Sequence, residues 1–227
     1  YVLSDGGCLV RVRSRCGLKS AGCLCLHNMN GPVAMQSISF PQPSLALDAM
    51  KATEVRATRW VAIASFTVLA AVAAQFRLYL WEVPFTLQTA VAAGAGLFLG
   101  SRNGAISMSL YLLLGLVLPV FAGAVYGLDY FFTVPSAGYV LAFPIMAAIV
   151  GRIAETAEHE GTVFWASIVG MLITYLIGAT VLYVVMGYES IGAAVMRGVV
   201  PFVPADLAKM GGVTLLYGGI RRLMADR

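Results

Sequence analysis

Asp206 and Lys209 are the residues of this sequence best placed to do chemistry. They follow Pro201 and Pro204 and open the last long apolar segment, where ionisable side chains are costly and typically mark a functional site. A spacing of three residues puts both on one face of a helix, near the N-terminal end whose dipole favours an anion. The alternative is a self-contained pair, in which Asp206 caps the helix and Lys209 extends to the membrane interface.

The composition indicates what surrounds these two charges. Of the 227 residues, 59% are hydrophobic and 11% are charged, whereas a soluble domain has about 25% charged residues. The sequence therefore predicts an integral membrane protein within a lipid bilayer. We attribute the net charge of +4 to basic residues gathered on the cytoplasmic side rather than to nucleic-acid binding.

The first 50 residues differ from the rest of the chain. They have no sustained apolar period, and they predict a disordered or mis-annotated extension before a membrane domain at residues 51–227. Met29, Met35 and Met50 are alternative starts. A second interpretation is a targeting peptide, because the first 20 residues are basic and poor in acidic residues.

Metal chemistry is not expected. The four cysteines all lie in the first 25 residues, with spacings that match no zinc pattern, and the two histidines, His27 and His159, are far apart in sequence. We expect neither a metal nor a cofactor.

Six apolar segments from residue 57 onward predict an all-α protein with six transmembrane helices. They cover residues 60–76, 86–100, 105–120, 137–150, 162–186 and 207–220. A tight polar turn at 101–104 and a short charged connection at 151–161 join some of them, whereas the connections at 77–85, 121–136 and 187–205 are longer. These three longer connections should lie together on one side, with both termini on the other.

Basic residues decide which side faces the cytoplasm. The side with the termini holds eight of them, and the side with the long connections holds three. By the positive-inside rule both termini are cytoplasmic and the long connections face outward. The two sets are Lys51, Arg56, Arg59, Arg102, Arg152, Arg221, Arg222 and Arg227 against Arg77, Arg197 and Lys209.

The outward connections are rich in aromatic residues and prolines. An apolar pocket with a few polar groups is the usual form of a small-molecule site, and Gln88, Asp206 and Lys209 could supply the polar groups. The alternative is the interfacial aromatic belt found in most membrane proteins.

Four ordered motifs in this sequence resemble the biotin-specific substrate-binding (S) component of energy-coupling factor (ECF) transporters, the BioY family. They read VPFTLQT at 83–89, YLLLGL and LPVFAG within 111–123, PSAGYVLAF at 135–143, and PFVPADLAK at 201–209. The resemblance covers roughly residues 55–225. It implies a six-helix membrane fold in the cytoplasmic membrane that captures biotin from outside, with a transmembrane coupling protein and two ATPases as partners.

The resemblance also implies a binding site and a function without catalysis. Asp206 can accept from a ureido N–H of biotin, and Lys209 can donate to its carbonyl or neutralise its carboxylate tail. The other predicted contacts are Tyr139, Gln88, Phe121, Phe85, Pro135 and Tyr130. An S component for a different vitamin is the alternative function, and a membrane-embedded enzyme is disfavoured because no carboxylate pair or His cluster occurs within the spans.

An alanine stripe on the first span is the predicted docking surface for the coupling partner. Ala62, Ala70 and Ala74, with Phe66 between them, share one face of the helix, and small residues permit close helix contact. Generic lipid-facing alanines are the alternative.

Overall fold

A computed structural model of the chain describes residues 56–79, 83–123, 125–157 and 159–225. The extension at 1–50 and its three candidate start methionines lie outside these residues. Within them the chain forms seven helices and one antiparallel pair of short strands. These are α1 (Arg56–Gln75), β1 (Arg77–Tyr79), β2 (Pro84–Thr86), α2 (Gln88–Val117), α3 (Leu128–Thr133), α4 (Ala137–Glu155), α5 (Glu160–Met186), α6 (Ile191–Gly198) and α7 (Val203–Ala225).

The helices are those of a multi-pass membrane protein. Three segments are long and apolar enough to cross a bilayer, namely Ala57–Gln75, Ala137–Glu155 and Gly161–Met186. A fourth crossing is possible if Ile191–Gly198 and Val203–Met224, which meet at 55°, act as one span. The predicted all-helical character is therefore confirmed apart from the short strands, whereas the predicted count of six spans is not.

Helix α2 contains two of the predicted spans and reverses direction at Gly100. This residue has φ 79° and ψ 174°, a backbone conformation that glycine adopts without steric cost. The two halves then run side by side, because the Gln88 side chain at the start of α2 lies 2.6 Å from the hydroxyl of Tyr111. The predicted turn at 101–104 was wrong by a few residues, since these residues are helical and Gly100 makes the turn.

Close helix contacts surround this reversal. A Cβ atom at Gly96 would lie 2.5 Å from the carbonyl oxygen of Ala147, and one at Gly104 would lie 2.7 Å from that of Ala95. Neither position has room for a side chain, so glycine lets α4 and the second half of α2 approach the first half. The core lies between α2, α4 and α5.

The alanine stripe of α1 packs inside the protein. Ala70 and Ala74 are fully buried and Ala62 is 8% exposed. On the same helix Thr67 donates a hydrogen bond to the carbonyl oxygen of Ser107 in α2, at 3.0 Å. In this conformation the three alanines lie against the rest of the protein, and their role as a docking surface for the coupling partner stays a prediction. The exposed face of α1 lies on its opposite side, at residues such as Val68.

The three long connections carry the short elements and meet at one end of the helices. The connection with β1 and β2 contacts the one after α6 where the rings of Phe85 and Phe202 stack, with centroids 6.4 Å apart. The start of α4 contacts the end of α6, because the Tyr139 hydroxyl donates to the carbonyl oxygen of Gly198 at 2.7 Å. This convergence, expected from the sequence, creates the candidate site.

Candidate functional site

A cavity opens where the β-strand pair, α2, α4, α5 and α7 meet. The space between its walls measures about 460 Å³, a figure that includes space open to the exterior. Its lining is mostly apolar with a few polar groups: Val83, Pro84, Phe85, Thr86, Gln88, Thr89, Ser136, Tyr139, Val140, Phe143, Tyr175, Gly198, Phe202, Asp206 and Lys209.

The bend between α6 and α7 delivers Asp206 to this cavity. Pro204 stands in the first turn of α7, where its missing N–H removes no helical hydrogen bond. Asp206 follows half a turn later, with its backbone N–H bonded to the carbonyl of Phe202 at 2.9 Å. Its side chain points inward and the residue is only 3% exposed.

Both carboxylate oxygens of Asp206 accept hydrogen bonds from side chains. Oδ1 accepts from the Lys209 ammonium at 2.6 Å and from the Thr89 hydroxyl at 3.1 Å. Oδ2 accepts from the Tyr175 hydroxyl at 2.7 Å. The carboxylate therefore joins α7 to α2 and α5 in the manner of a buried polar network, and these contacts do not resemble a helix cap.

Lys209 is held as tightly as its partner. Besides Asp206, its ammonium donates to the carbonyl oxygen of Thr86 at 2.5 Å and to the Thr89 hydroxyl at 3.2 Å. These contacts use all three donors of the ammonium group. Its Nζ also lies 3.8 Å from the centroid of the Phe85 ring, a cation–π geometry. The side chain is 9% exposed, so the interpretation in which it extends to the interface does not describe this conformation.

Tyr139 forms an aromatic wall whose position depends on glycines. A Cβ atom at Gly178 of α5 would overlap the Tyr139 ring. One at Gly138 would lie 2.5 Å from Cβ of Val181, so glycine lets α4 approach α5 at this level. With its hydroxyl bonded to Gly198, the ring is fixed at both ends.

Gln88 lies at the N-terminal end of α2 with both amide atoms engaged. Its Oε1 accepts from the Thr86 hydroxyl at 3.0 Å, and its Nε2 donates to the Tyr111 hydroxyl at 2.6 Å. The residue is 2% exposed. This network links the cavity wall to the second half of α2.

Five of the eight predicted binding residues line the cavity, namely Asp206, Lys209, Tyr139, Gln88 and Phe85. The other three do not.

The remaining three predicted contacts lie in the connection between α2 and α4. Phe121 and Tyr130 are fully buried, with ring centroids 4.3 Å apart, and Pro135 is half-buried. Tyr130 reaches the cavity indirectly, because its hydroxyl lies 3.0 Å from Oγ of Ser136, which is part of the lining. These residues pack behind the wall in this conformation, and their contact with a ligand stays a prediction.

Among the lining residues that sequence reasoning missed, Tyr175 and Thr89 are the two that contact Asp206. Both donate to Asp206, and Tyr175 does so from α5, which contributed no predicted contact. A phenol inside an otherwise apolar span is a detectable signal, since a buried tyrosine hydroxyl usually has a partner. Thr89 follows Gln88 in the first turn of α2, but threonine is too common in membrane helices to stand out.

The arrangement can bind a ligand that both donates and accepts hydrogen bonds. It offers a carboxylate and an ammonium next to each other, with hydroxyls beside them and aromatic walls around them. Among residues 56–79, 83–123, 125–157 and 159–225, no group of three or more His, Cys, Asp or Glu side chains is placed to hold a metal ion.

The part of the chain that forms the helices and the cavity is similar in sequence to proteins of a known family. The profile described as BioY family matches residues 48–226. The probable biotin transporter BioY of Pyrococcus horikoshii is 36% identical over 169 residues, which cover 74% of this chain and 95% of that protein. The biotin transporter BioY of Thermotoga maritima is 32% identical over 163 residues, covering 71% and 95% of the two chains.

The fold also has a counterpart among solved structures. The S-component for biotin from an ECF-type ABC transporter superposes with a TM-score of 0.66, at 23% identity, covering 75% of this chain and 93% of that one. This likeness concerns the fold, whereas the profile match and the two relatives concern the sequence. By the profile match and the two relatives, the chain belongs to the BioY family.

Proposed function

We propose that this protein is the biotin-binding S component of an ECF-type transporter, which captures biotin at the outer face of the cytoplasmic membrane. The observation that carries the proposal is the buried Asp206–Lys209 pair at the wall of a mostly apolar cavity. Membership of the chain in the BioY family supports biotin, rather than another vitamin, as the ligand.

The ureido ring of biotin has the donors and the acceptor that this pair requires. Asp206 accepts from a ureido N–H, and Lys209 donates to the ureido carbonyl or, in the opposite orientation, neutralises the carboxylate tail. Tyr175 and Thr89 hold the carboxylate in place through their hydrogen bonds to its two oxygens. Charged partners make these bonds stronger than neutral ones.

Binding proceeds by exchange of hydrogen bonds. Within the chain Lys209 already donates to three oxygens and Asp206 already accepts from three donors. A ureido group takes the place of some of these contacts, and the bond from Lys209 to the Thr86 carbonyl is the one that ties β2 to α7. Selectivity follows because a ligand without matching groups would leave a buried charge unpaired.

The apolar lining of the cavity suits the carbon skeleton of biotin in chemical character. The stacked Phe85 and Phe202 rings, together with Phe143 and Val140 of the same lining, offer carbon surface for the fused rings and the alkyl chain. Tyr130 supports the wall from behind through its contact with Ser136, Phe121 packs against Tyr130, and Pro135 directly precedes Ser136 in the chain.

We further propose six membrane crossings with both termini in the cytoplasm. The crossings are α1, the two halves of α2, α4, α5 and α7, and the distribution of basic residues supports the orientation. The cavity then opens outward, toward the incoming vitamin.

In this proposal, partner proteins supply the energy for transport. The chain contains no phosphate-binding motif of the form GxxxxGK[ST], so a transmembrane coupling protein and two ATPases would drive release inward. Since Ala62, Ala70 and Ala74 are buried, contact of the coupling protein with them would require α1 to move.

Binding of labelled biotin to the purified chain in detergent tests the proposal. We expect saturable binding that excess unlabelled biotin abolishes and that riboflavin and thiamine leave unchanged. Displacement by either of these vitamins would assign the protein to a different substrate, and absence of saturable binding would refute the site.

A further inference from the structure

A polar crevice lies at the end of the helices opposite the biotin cavity. On α4, Glu155 at the crevice is 16 residues beyond Tyr139 at the cavity, which is about 24 Å along a helix axis. The space between its walls measures about 430 Å³, part of it open to the exterior. The lining combines the start of α1, the reversal in α2 and the end of α4: Arg59, Leu99, Arg102, Asn103 and Glu155.

Arg59 carries an unsatisfied donor in this crevice. Its Nε atom is buried and has no hydrogen-bond partner in the part of the chain that the structure describes. A buried N–H without an acceptor is costly, and the guanidinium group presents donors in a planar fork that suits carboxylate and phosphate oxygens. The unsatisfied donor of Arg59 therefore favours an oxyanion as a ligand of this crevice.

The charge balance of the crevice favours an anion. Two guanidinium groups, of Arg59 and Arg102, face one carboxylate, of Glu155. That carboxylate is already engaged, because Oε1 accepts from the Ser101 backbone N–H at 2.7 Å and Oε2 lies 3.9 Å from the Arg152 guanidinium. The acceptor that Arg59 lacks is therefore not supplied by Glu155.

The surroundings of this crevice are typical of the headgroup level of a bilayer. Trp60, next to Arg59, is 54% exposed, and its ring lies 5.9 Å from the guanidinium carbon of Arg59. Exposed tryptophans of membrane proteins concentrate at the interface between water and lipid. Basic pockets between transmembrane helices are known to bind the headgroups of anionic lipids.

We propose that this crevice binds the phosphate of an anionic lipid headgroup through Arg59 and Arg102. Glu155 already joins the end of α4 to the reversal of α2, and the lipid would connect the start of α1 to both. In the orientation proposed for this protein, it would belong to the cytoplasmic leaflet.

Native mass spectrometry of the purified full chain in detergent tests the proposal, with phosphatidylglycerol and phosphatidylcholine as probes. The wild type should retain phosphatidylglycerol in preference to phosphatidylcholine. Arg59→Gln and Arg102→Gln should each lower that preference about fivefold, from a contribution near 1 kcal/mol per basic residue. Arg152→Gln is the matched control, because it removes the same charge from the same end at a side chain that is 76% exposed and outside the crevice lining.

The possible results separate the alternatives. Equal retention of the two lipids by the wild type, or an equal loss of preference in Arg152→Gln, would overturn the proposal. A soluble phosphate would be the ligand, and the lipid would be refuted, if millimolar inorganic phosphate or glycerol phosphate displaced the lipid and protected the protein against thermal unfolding as well as the lipid does. Biotin binding at the far cavity reports correct folding, and the exposed Arg102 carries the test if Arg59→Gln does not fold.

Discussion

The Asp206–Lys209 pair contributes to stability and to binding, and a double-mutant cycle separates the two. The side chains are 4% and 9% exposed and 2.6 Å apart, so either Asp206→Asn or Lys209→Met leaves a buried polar group without its partner. Such a change costs about 3–5 kcal/mol of stability. The double variant removes both charges and should recover most of that loss, because the interaction energy of a contacting pair is not additive.

Binding should behave differently from stability. Each single variant loses a hydrogen bond to a charged group, worth roughly 1.5–3 kcal/mol, or about one to two decades in biotin affinity. The double variant should bind no better than the single ones, although it is more stable. Thermal unfolding in detergent gives the first quantity, and isothermal titration with biotin gives the second. Wild-type affinity in the double variant would show that the pair is purely structural, and would remove both residues from the site.

Three further changes test other parts of the structure. Tyr175→Phe removes the 2.7 Å bond to the Asp206 carboxylate, and titration should show biotin affinity falling about tenfold or more. Gly178→Ala places a methyl group where the Tyr139 ring lies, so it should cost roughly 1–3 kcal/mol of stability from overpacking and weaken biotin binding as well. A cysteine replacing Asp129 should react in intact cells with a reagent that does not cross membranes, whereas a reporter fused after the C-terminal residue should be cytoplasmic.

Matched controls make these results interpretable. Tyr183→Phe removes the same hydroxyl from the same helix, but from a side chain that does not line the cavity, and should bind biotin normally. At Gly212 of α7 an added Cβ would meet no atom within 4 Å, so Gly212→Ala should leave affinity unchanged. If the controls lose as much affinity as the site variants, the effects come from general destabilisation. Labelling of the cysteine only after permeabilisation would contradict the proposed orientation.

The sequence predicted the charged pair and its setting well, because both depend on local rules. A carboxylate and an amine three residues apart after two prolines must share one helix face near its start. The aromatic and proline-rich connections likewise predicted where a cavity would form. In each case the residues involved are neighbours in the sequence, and their chemistry determines whether they are buried or where a helix begins.

The remaining features depend on contacts between distant segments. The hydrogen bonds from Tyr175 and Thr89 to Asp206 join positions 31 and 117 residues away along the chain, which no local pattern encodes. The alanines of α1 fit a docking surface by their size alone, because small residues suit close contact of any kind, and only the packing shows that they are buried in this conformation. The sequence predicted the turn at residues 101–104 because these residues are polar enough for one. They are helical in the structure, and the chain reverses at Gly100.

The bond between Lys209 and the Thr86 carbonyl has a thermodynamic consequence. The acceptor belongs to the backbone, so no substitution of the Thr86 side chain removes it, and a ligand that accepts from Lys209 must displace this bond or one of the other two bonds of the ammonium group. When hydrogen bonds are exchanged rather than added, their net enthalpy is small, and the transfer of carbon surface onto Phe85 and Phe202 supplies most of the driving force. Calorimetry at several temperatures should therefore give a negative heat-capacity change of binding, the signature of buried apolar surface, in an interaction whose selectivity is set by charge.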